Sequence, residues 1–336
     1  MTHEDGEDGK VTSQAYRRIS RGSLLVLALM PITAAVPAFA ASYTFQTVNY
    51  PGDTFTQLLG VNDAGTIAGY HGSGAASNPN QGFTLVLPNT FTSENFPGSA
   101  QTQVVGINSA GDTGGFYIDF GGVTHGFTKV GGTFNPVNDP NAAFTQILGV
   151  NDNDVVAGYS STDSTGATLQ RAFTEVSGTF TFLAGFLPAG AQNNQATDIN
   201  NGGVVSGFYV DKGGVNHGFL LNGTMLTPLD FAGSTLTQAL GLNNQGQVVG
   251  DYMDAQGRTH GFVWKNGTFQ TVDDPNGTGG TTINGINDHG EIVGFFVDSA
   301  GNTDGFVGTP VPEPGTLLLL GSALAGLAVV VRRQRV

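Results

Sequence analysis

Thr44-Phe45-Gln46-Thr47-Val48-Asn49-Tyr50-Pro51-Gly52, near the start of the chain, returns near its end as Thr268-Phe269-Gln270-Thr271-Val272-Asp273-Asp274-Pro275. Between the two copies one module recurs six times. The first copy stands alone, without the strands that precede it elsewhere, and the last module stops before its own copy. A ring that closes by lending its first strand to its last blade accounts for both defects.

The module is read from an Asn that follows Gly-x. It recurs at Asn62, Asn108, Asn151, Asn200, Asn243 and Asn287, at spacings of 46, 43, 49, 43 and 44. A period near 45 marks a repeat architecture. Gly60, Gly106, Gly149, Gly241 and Gly285 precede the Asn, and Asp198 takes that place in the fourth copy. Gly65, Gly111, Gly203, Gly246 and Gly290 follow it by three residues, with Asp154 as the exception. A further Gly and then a Gly-Phe pair close the pattern, as in Gly115 and Gly126-Phe127, with Ala172-Phe173 as the exception.

Each module reads as four short strands. In the third, Thr145–Val150, Val155–Ser160, Arg171–Val176 and Thr179–Leu183 are strands a to d. Asn151–Asp154 makes a tight turn of residues that tolerate positive φ. The c–d turns Gly131-Gly132, Ser177-Gly178, Asn222-Gly223 and Asn266-Gly267 are two-residue hairpin signals. Six sets of a, b and c and six d strands, starting near Thr44, Thr90, Thr133, Thr179, Thr224 and Thr268, predict an all-β, six-bladed β-propeller closed by the N-terminal strand. A β-solenoid is the alternative, but its rungs have no use for an orphan strand.

The domain reading is a signal peptide over residues 1–40, the repeat body over 41–309 and a sorting tail over 310–336. Arg17, Arg18 and Arg21, the apolar run Leu24–Ala35 and Ala38-Phe39-Ala40 predict export and cleavage by signal peptidase after Ala40. Twin-arginine export and a retained anchor are the alternatives. The body carries only five bases (Lys129, Arg171, Lys212, Arg258 and Lys265) among its many acids, so nucleic acid is excluded as a partner. There is no Cys, hence no disulfide framework and no thiolate chemistry.

The tail holds Pro312, Glu313 and Pro314, an apolar run from Leu317 to Val331, and then Arg332, Arg333 and Arg335. This order resembles the PEP-CTERM sorting signal of Gram-negative bacteria. The resemblance implies an exosortase-type processing enzyme as partner and an inner membrane crossed transiently by a C-terminal transmembrane sorting helix. From Gly315 to Val331 the run is just long enough for that span, and the arginines would stay cytoplasmic. A plain membrane anchor is the alternative, though it has no need of the two prolines. The repeats, with His-Gly-Phe at His125, His217 and His260, resemble HAF-repeat extracellular proteins, which usually carry His-Ala-Phe. Gln81, Arg171 and Asp304 replace the His in the other copies.

Three residue sets are candidate sites. The six Asn would form a ring near the axis, either a small-ligand site or caps of their own turns. Asp119, Asp163, Asp211, Asp254 and Asp298, at the b–c turns, would form an acidic face for Ca²⁺ or glycan hydroxyls, or else open type I turns. The three His lie in separate blades, which favours a structural role over metal binding, and Trp264 reads as core. No nucleophile–base pair, metal-binding helix or phosphate loop appears, so no catalytic residue is assigned and no cofactor is required, with Ca²⁺ as the one candidate. The expected function is a secreted, exosortase-processed, non-enzymatic surface or matrix protein that engages extracellular polysaccharide. A glycan-acting hydrolase or lyase and a protein–protein adhesion module are the alternatives.

Overall fold

Each repeat builds one four-stranded antiparallel sheet in a computed structural model that describes residues 42–311. The six sheets are the blades of a β-propeller. In blade 3 the strands are Phe144–Val150, Val156–Ser161, Arg171–Val176 and Thr179–Phe182, within a residue or so of the expected bounds. Strands follow chain order a-b-c-d in five blades. The sixth is built from Gly280–Ile286, Ile292–Val297, Thr303–Val311 and then Ser42–Val48. Its last pairing runs without a shift from Ser42 opposite Val311 to Val48 opposite Gly305. The signal peptide and the transmembrane sorting helix lie outside the described residues.

The twice-written segment is the outermost strand and the corner that follows it. Val48 and Val272 are both buried beneath their blades. Asn49 and Asp273 each accept the amide of the Gly in the neighbouring Gly-Phe pair, Gly305 and Gly261, at 3.1 Å. The amides of Tyr50 and Asp274 then donate to Thr56 and Thr281 on the next inner strand. The same task, done twice by Val48-Asn49-Tyr50 and Val272-Asp273-Asp274, explains the echo.

The Gly-Phe pair, Ala172-Phe173 in blade 3, and the strand-b Gly form the interior of each blade. Phe83, Phe127, Phe173, Phe219, Phe262 and Phe306 are fully buried, one per blade. In five of the blades the Phe ring lies over the strand-b glycine, so closely that a Cβ on Gly207 would meet Phe219 Cζ at 2.6 Å. Every inner strand also carries a β-bulge, between Leu58 and Gly60 in blade 1 and between Ala196 and Asp198 in blade 4. A bulge inserts one extra residue and re-aims its side chain. Here the extra residues include Leu59, Val105, Leu148 and Leu240, which line the space around the axis.

Turns follow the expected chemistry with one correction. Asp154 has φ 58°, the left-handed value that Gly supplies at this position in the other blades. In blade 4 the two-residue turn is Gly223-Thr224 rather than Asn222-Gly223, because Asn222 pairs with Met225 at the hairpin end. Only Gly223 of that turn has positive φ, which suits a turn with Gly first rather than Asn-Gly. Trp264 packs half-buried against the cluster that includes Leu242 and Phe262.

Candidate functional site

The six Asn are brought together as one ring around the axis. Each side-chain amide crosses to the next blade and donates to the backbone carbonyl of the next Asn: Asn62 to Asn108, Asn108 to Asn151, Asn151 to Asn200, Asn200 to Asn243, Asn243 to Asn287, and Asn287 back to Asn62. The distances are 2.9–3.3 Å. Each Oδ1 accepts amides of its own a–b turn, as Asn62 does from Ala64 and Thr66. One residue type therefore caps six turns and ties six blades in a closed circuit. Asn108→Ala should cost roughly 2–4 kcal/mol, since it strands the Asn151 carbonyl and the Asp112 turn amide. Chemical denaturation of the variant checks this, and a loss under 1 kcal/mol would show the circuit to be incidental.

Inside that ring lies an axial channel of about 330 Å³. Gln57, Gln103, Gln146 and Gln195 line it toward the d–a loops, and the bulged aliphatic residues form its waist. Blade 4 departs from the others by placing Thr197 and Asp198 there. Asp198 Oδ1 accepts the Ile199 amide at 2.8 Å, and Oδ2 accepts the Leu242 amide of blade 5 at 3.1 Å. It borders the channel space, half-buried, and among the described residues it has no basic partner. Desolvation pushes its carboxyl up to about 7, against the two amides that favour the ionised form. The following residue of each turn rims the mouth: Asp63, Ser109, Asp152, Asn201, Asn244 and Asp288.

The b–c turn carboxylates do not converge. Asp119, Asp211, Asp254 and Asp298 each cap their own turn, accepting amides at positions +2 and +4, and Val123 to Asp119 is 2.9 Å. Asp163 caps its longer turn through the amides at +2 and +5, of Thr165 and Thr168. The backbone donors hold these carboxyls below the usual range, and Asp163 falls to about 2. A Ca²⁺ ion needs six to eight oxygens from one place. Among the described residues no group of three or more His, Asp or Glu side chains is placed to hold a metal ion, so the residues present do not fit one.

What the turn carboxylates do engage is histidine. Asp119 meets His125 at 3.3 Å. His217 lies between Asp211 and Asp230, at 3.4 and 2.9 Å, and His260 between Asp254 and Asp273, at 3.2 and 2.8 Å. Each imidazole also stacks on a tyrosine of strand b: Tyr117, Tyr209 or Tyr252. Two of these tyrosines stack in turn on Phe96 and Phe231 of the d–a loops. Blades 2, 4 and 5 thus display the same half-exposed Tyr–His–Asp cluster on one face. Phe120, 84 % exposed, sits beside the blade 2 cluster.

An imidazole can donate from both nitrogens only when charged. Burial opposes the charge on His217 and His260, but the flanking carboxylates outweigh it and raise both. A raised folded pKa gives stability that is complete below the unfolded value near 6.5 and is lost as pH rises through the folded value. His260→Gln is therefore expected to lower Tm more at about pH 5.5 than at about pH 8.5. Equal losses at the two pH values, read by thermal melts, would contradict the assignment.

Reading by residue type did not assign a role to Asp198, nor to the partners Asp230 and Asp273. The signals were present. Asp198 interrupts a column of glycines, and Asp230 and Asp273 each follow a His by 13 residues. What was lacking was the knowledge that the b–c turn and the d–a corner meet at one end of the blade.

The model of the PEP-CTERM protein-sorting motif matches residues 310–334. No curated protein sequence matches the chain. Among solved structures the chain is similar to the putative TolB from Agrobacterium tumefaciens, with 10% identity, 82% of this chain and 100% of that chain covered, and a TM-score of 0.55. It is similar to AofleA from Arthrobotrys oligospora, with 10% identity, 81% and 89% covered, and a TM-score of 0.52. A sialidase from Trypanosoma rangeli follows at 11% identity, 86% and 62% covered, and a TM-score of 0.48. Likeness at such identities shows the fold alone. The chain is a β-propeller that ends in a PEP-CTERM sorting motif, which supports export, processing by an exosortase and a cell-surface or extracellular location.

Proposed function

We propose that the protein is a non-enzymatic component of the cell surface or extracellular matrix that binds extracellular polysaccharide through the face bearing the b–c turns and d–a loops. The observation that carries the proposal is the repetition of the Tyr–His–Asp cluster in blades 2, 4 and 5 of that face. Carboxylates and imidazoles exchange hydrogen bonds with hydroxyls, and an exposed ring such as Phe120 offers a flat apolar surface to a sugar. Three weak sites on a rigid ring, meeting a polymer of repeating units, gain affinity by multivalency. The resemblance to HAF-type repeat proteins, export through signal peptidase and the membrane-spanning tail belong to the same proposal.

The test is retention of the purified exported protein on its host's extracellular polysaccharide. Wild type should bind, Phe120→Ala should weaken binding, and His125→Ala/His217→Ala/His260→Ala should reduce it about tenfold or more. A calcium chelator should change nothing. Binding untouched by these substitutions would remove this face from the account, and no binding would favour a protein partner. The alternative of a glycan-acting hydrolase or lyase draws on Asp198 in the channel wall. Shortened polymer in the same incubation would decide for it.

A further inference from the structure

The axial channel differs from the face just described in charge, enclosure and symmetry. Its mouth carries the carboxylates of Asp63, Asp152 and Asp288, and its wall carries that of Asp198. Among the described residues no Lys, Arg or His lines it. Two of the mouth carboxylates are held in place: Asp152 by the Ser109 amide and the Asn201 side chain, and Asp288 by the amide and side chain of Asn244. Asp63 accepts the Asp288 amide through Oδ1. Four acidic groups around one narrow, low-dielectric passage, with no cation among them, focus a negative potential along the axis.

The symmetry breaks where the ligand would sit. Five inner strands place Gly two residues before the ring Asn, and a Cβ there would collide with the next blade: at Gly60 it would meet the Val105 carbonyl oxygen at 2.7 Å. Blade 4 accepts a carboxylate at this crowded place because two amides hold it. Nothing in the packing of the other five blades calls for a carboxylate. The bulge residue facing the channel is aliphatic in four blades, Leu59, Val105, Leu148 and Leu240, and polar in two, Thr197 and Asn284.

We infer that the channel is a binding site for a small organic ammonium, with Asp198 as its counter-ion and the aliphatic waist as the seat of its carbon body. A bare metal ion does not suit the place, since it would leave the aliphatic waist unused and no ligand set of three or more acidic or His side chains is gathered among the described residues. The mouth carboxylates draw the cation in, and the ammonium hydrogens meet the Asp198 carboxylate where it borders the channel. In the empty channel the Asp198 carboxyl, raised to about 7, is partly protonated at neutral pH. Binding of the cation releases that proton, so affinity rises with pH. The site is independent of the polysaccharide-binding face.

Calorimetry on the full exported protein with cyclohexylammonium and its neutral counterpart cyclohexanol tests this. The amine stays charged at every pH used, so any pH dependence belongs to the protein. Cyclohexylammonium should bind about tenfold or more tightly than cyclohexanol. Its affinity should increase from about pH 6 to about pH 8. Asp198→Gly, which installs the residue of the other five blades, and Asp198→Asn should each abolish the preference while the thermal melt stays cooperative. Carbon NMR of the Asp198 carboxyl should show its titration moved to lower pH by the amine. Equal binding of amine and alcohol, no binding of either, or undiminished amine binding by both variants would overturn the inference. Glucosamine against glucose then distinguishes an amino-sugar source of the cation from other amines.

Discussion

Deletion of Ser42–Val48 is expected to lower Tm by roughly 10–20 °C and to make the protein self-associate through its opened edge. The strand contributes all seven residues of its pairing with Thr303–Val311. Phe45 packs edge-on against Phe306 at 5.5 Å, and Val48 joins the cluster of Leu58 and Phe83 across the junction of blades 6 and 1. Losing these two side chains forfeits about 5 kcal/mol of burial. It also leaves nine residues of strand, Thr303–Val311, with an open edge. Open edges recruit other strands. Light scattering and a thermal melt of the deletion variant, with and without a synthetic peptide of residues 42–50, read the effect. Suppression of the new association by the peptide is expected. A deletion variant as stable as the full protein, with unchanged light scattering, would show that the ring does not depend on its first strand.

Gly207→Ala is expected to cost at least about 3–5 kcal/mol, enough to prevent recovery of folded protein. A Cβ there would overlap the Gln195 carbonyl oxygen and press on the Phe219 ring. Neither can retreat: the first is backbone paired to strand b, and Phe219 is fully buried. The comparison is Gly203→Ala in the same blade. Gly203 has φ +75° and open space around its Cβ position. Its substitution meets only the left-handed backbone penalty, about 1–2 kcal/mol. Denaturant unfolding of the two variants separates close approach from backbone conformation. Equal costs would mean that the Phe-over-Gly contact does not determine the blade interior.

The repeat was legible because each of its marked residues performs one task that only that residue type performs well. Asn caps the a–b turn and bridges to the next blade, Gly lets a ring lie flat on strand b, and Phe is that ring. Six repetitions of each strict requirement leave three columns, six residues deep, in the sequence. The closure was legible for the same reason, since Asn49 and Asp273 accept equivalent amides. The circuit of Asn side chains was not legible, because its bonds run between residues 43 to 49 positions apart and, at the closure, 225 apart. Nor were the Asp–His–Asp clusters of blades 4 and 5, which need two loops to meet in space. The Asp columns looked like turn formers and are that. Their second carboxylate oxygens carry the additional contact to His. Asp198 was visible as an exception, but an exception acquires a chemical meaning only when its environment is known: a channel wall, two amides and no base.

The claim on which the rest stands is that the chain's first strand is the outer strand of its last blade. Thr44 and Thr309 are paired across that junction and both are exposed. Their Cα atoms therefore lie within disulfide reach. The chain contains no Cys, so Thr44→Cys/Thr309→Cys introduces the only two thiols. The measurement is the state of those thiols after mild oxidation of the folded monomer, read by non-reducing gel and by mass. The account predicts one intramolecular disulfide, formed quantitatively, that raises Tm by closing a loop of nearly the whole domain. Thiols that stay free in the folded monomer, or that join only between molecules, would contradict it.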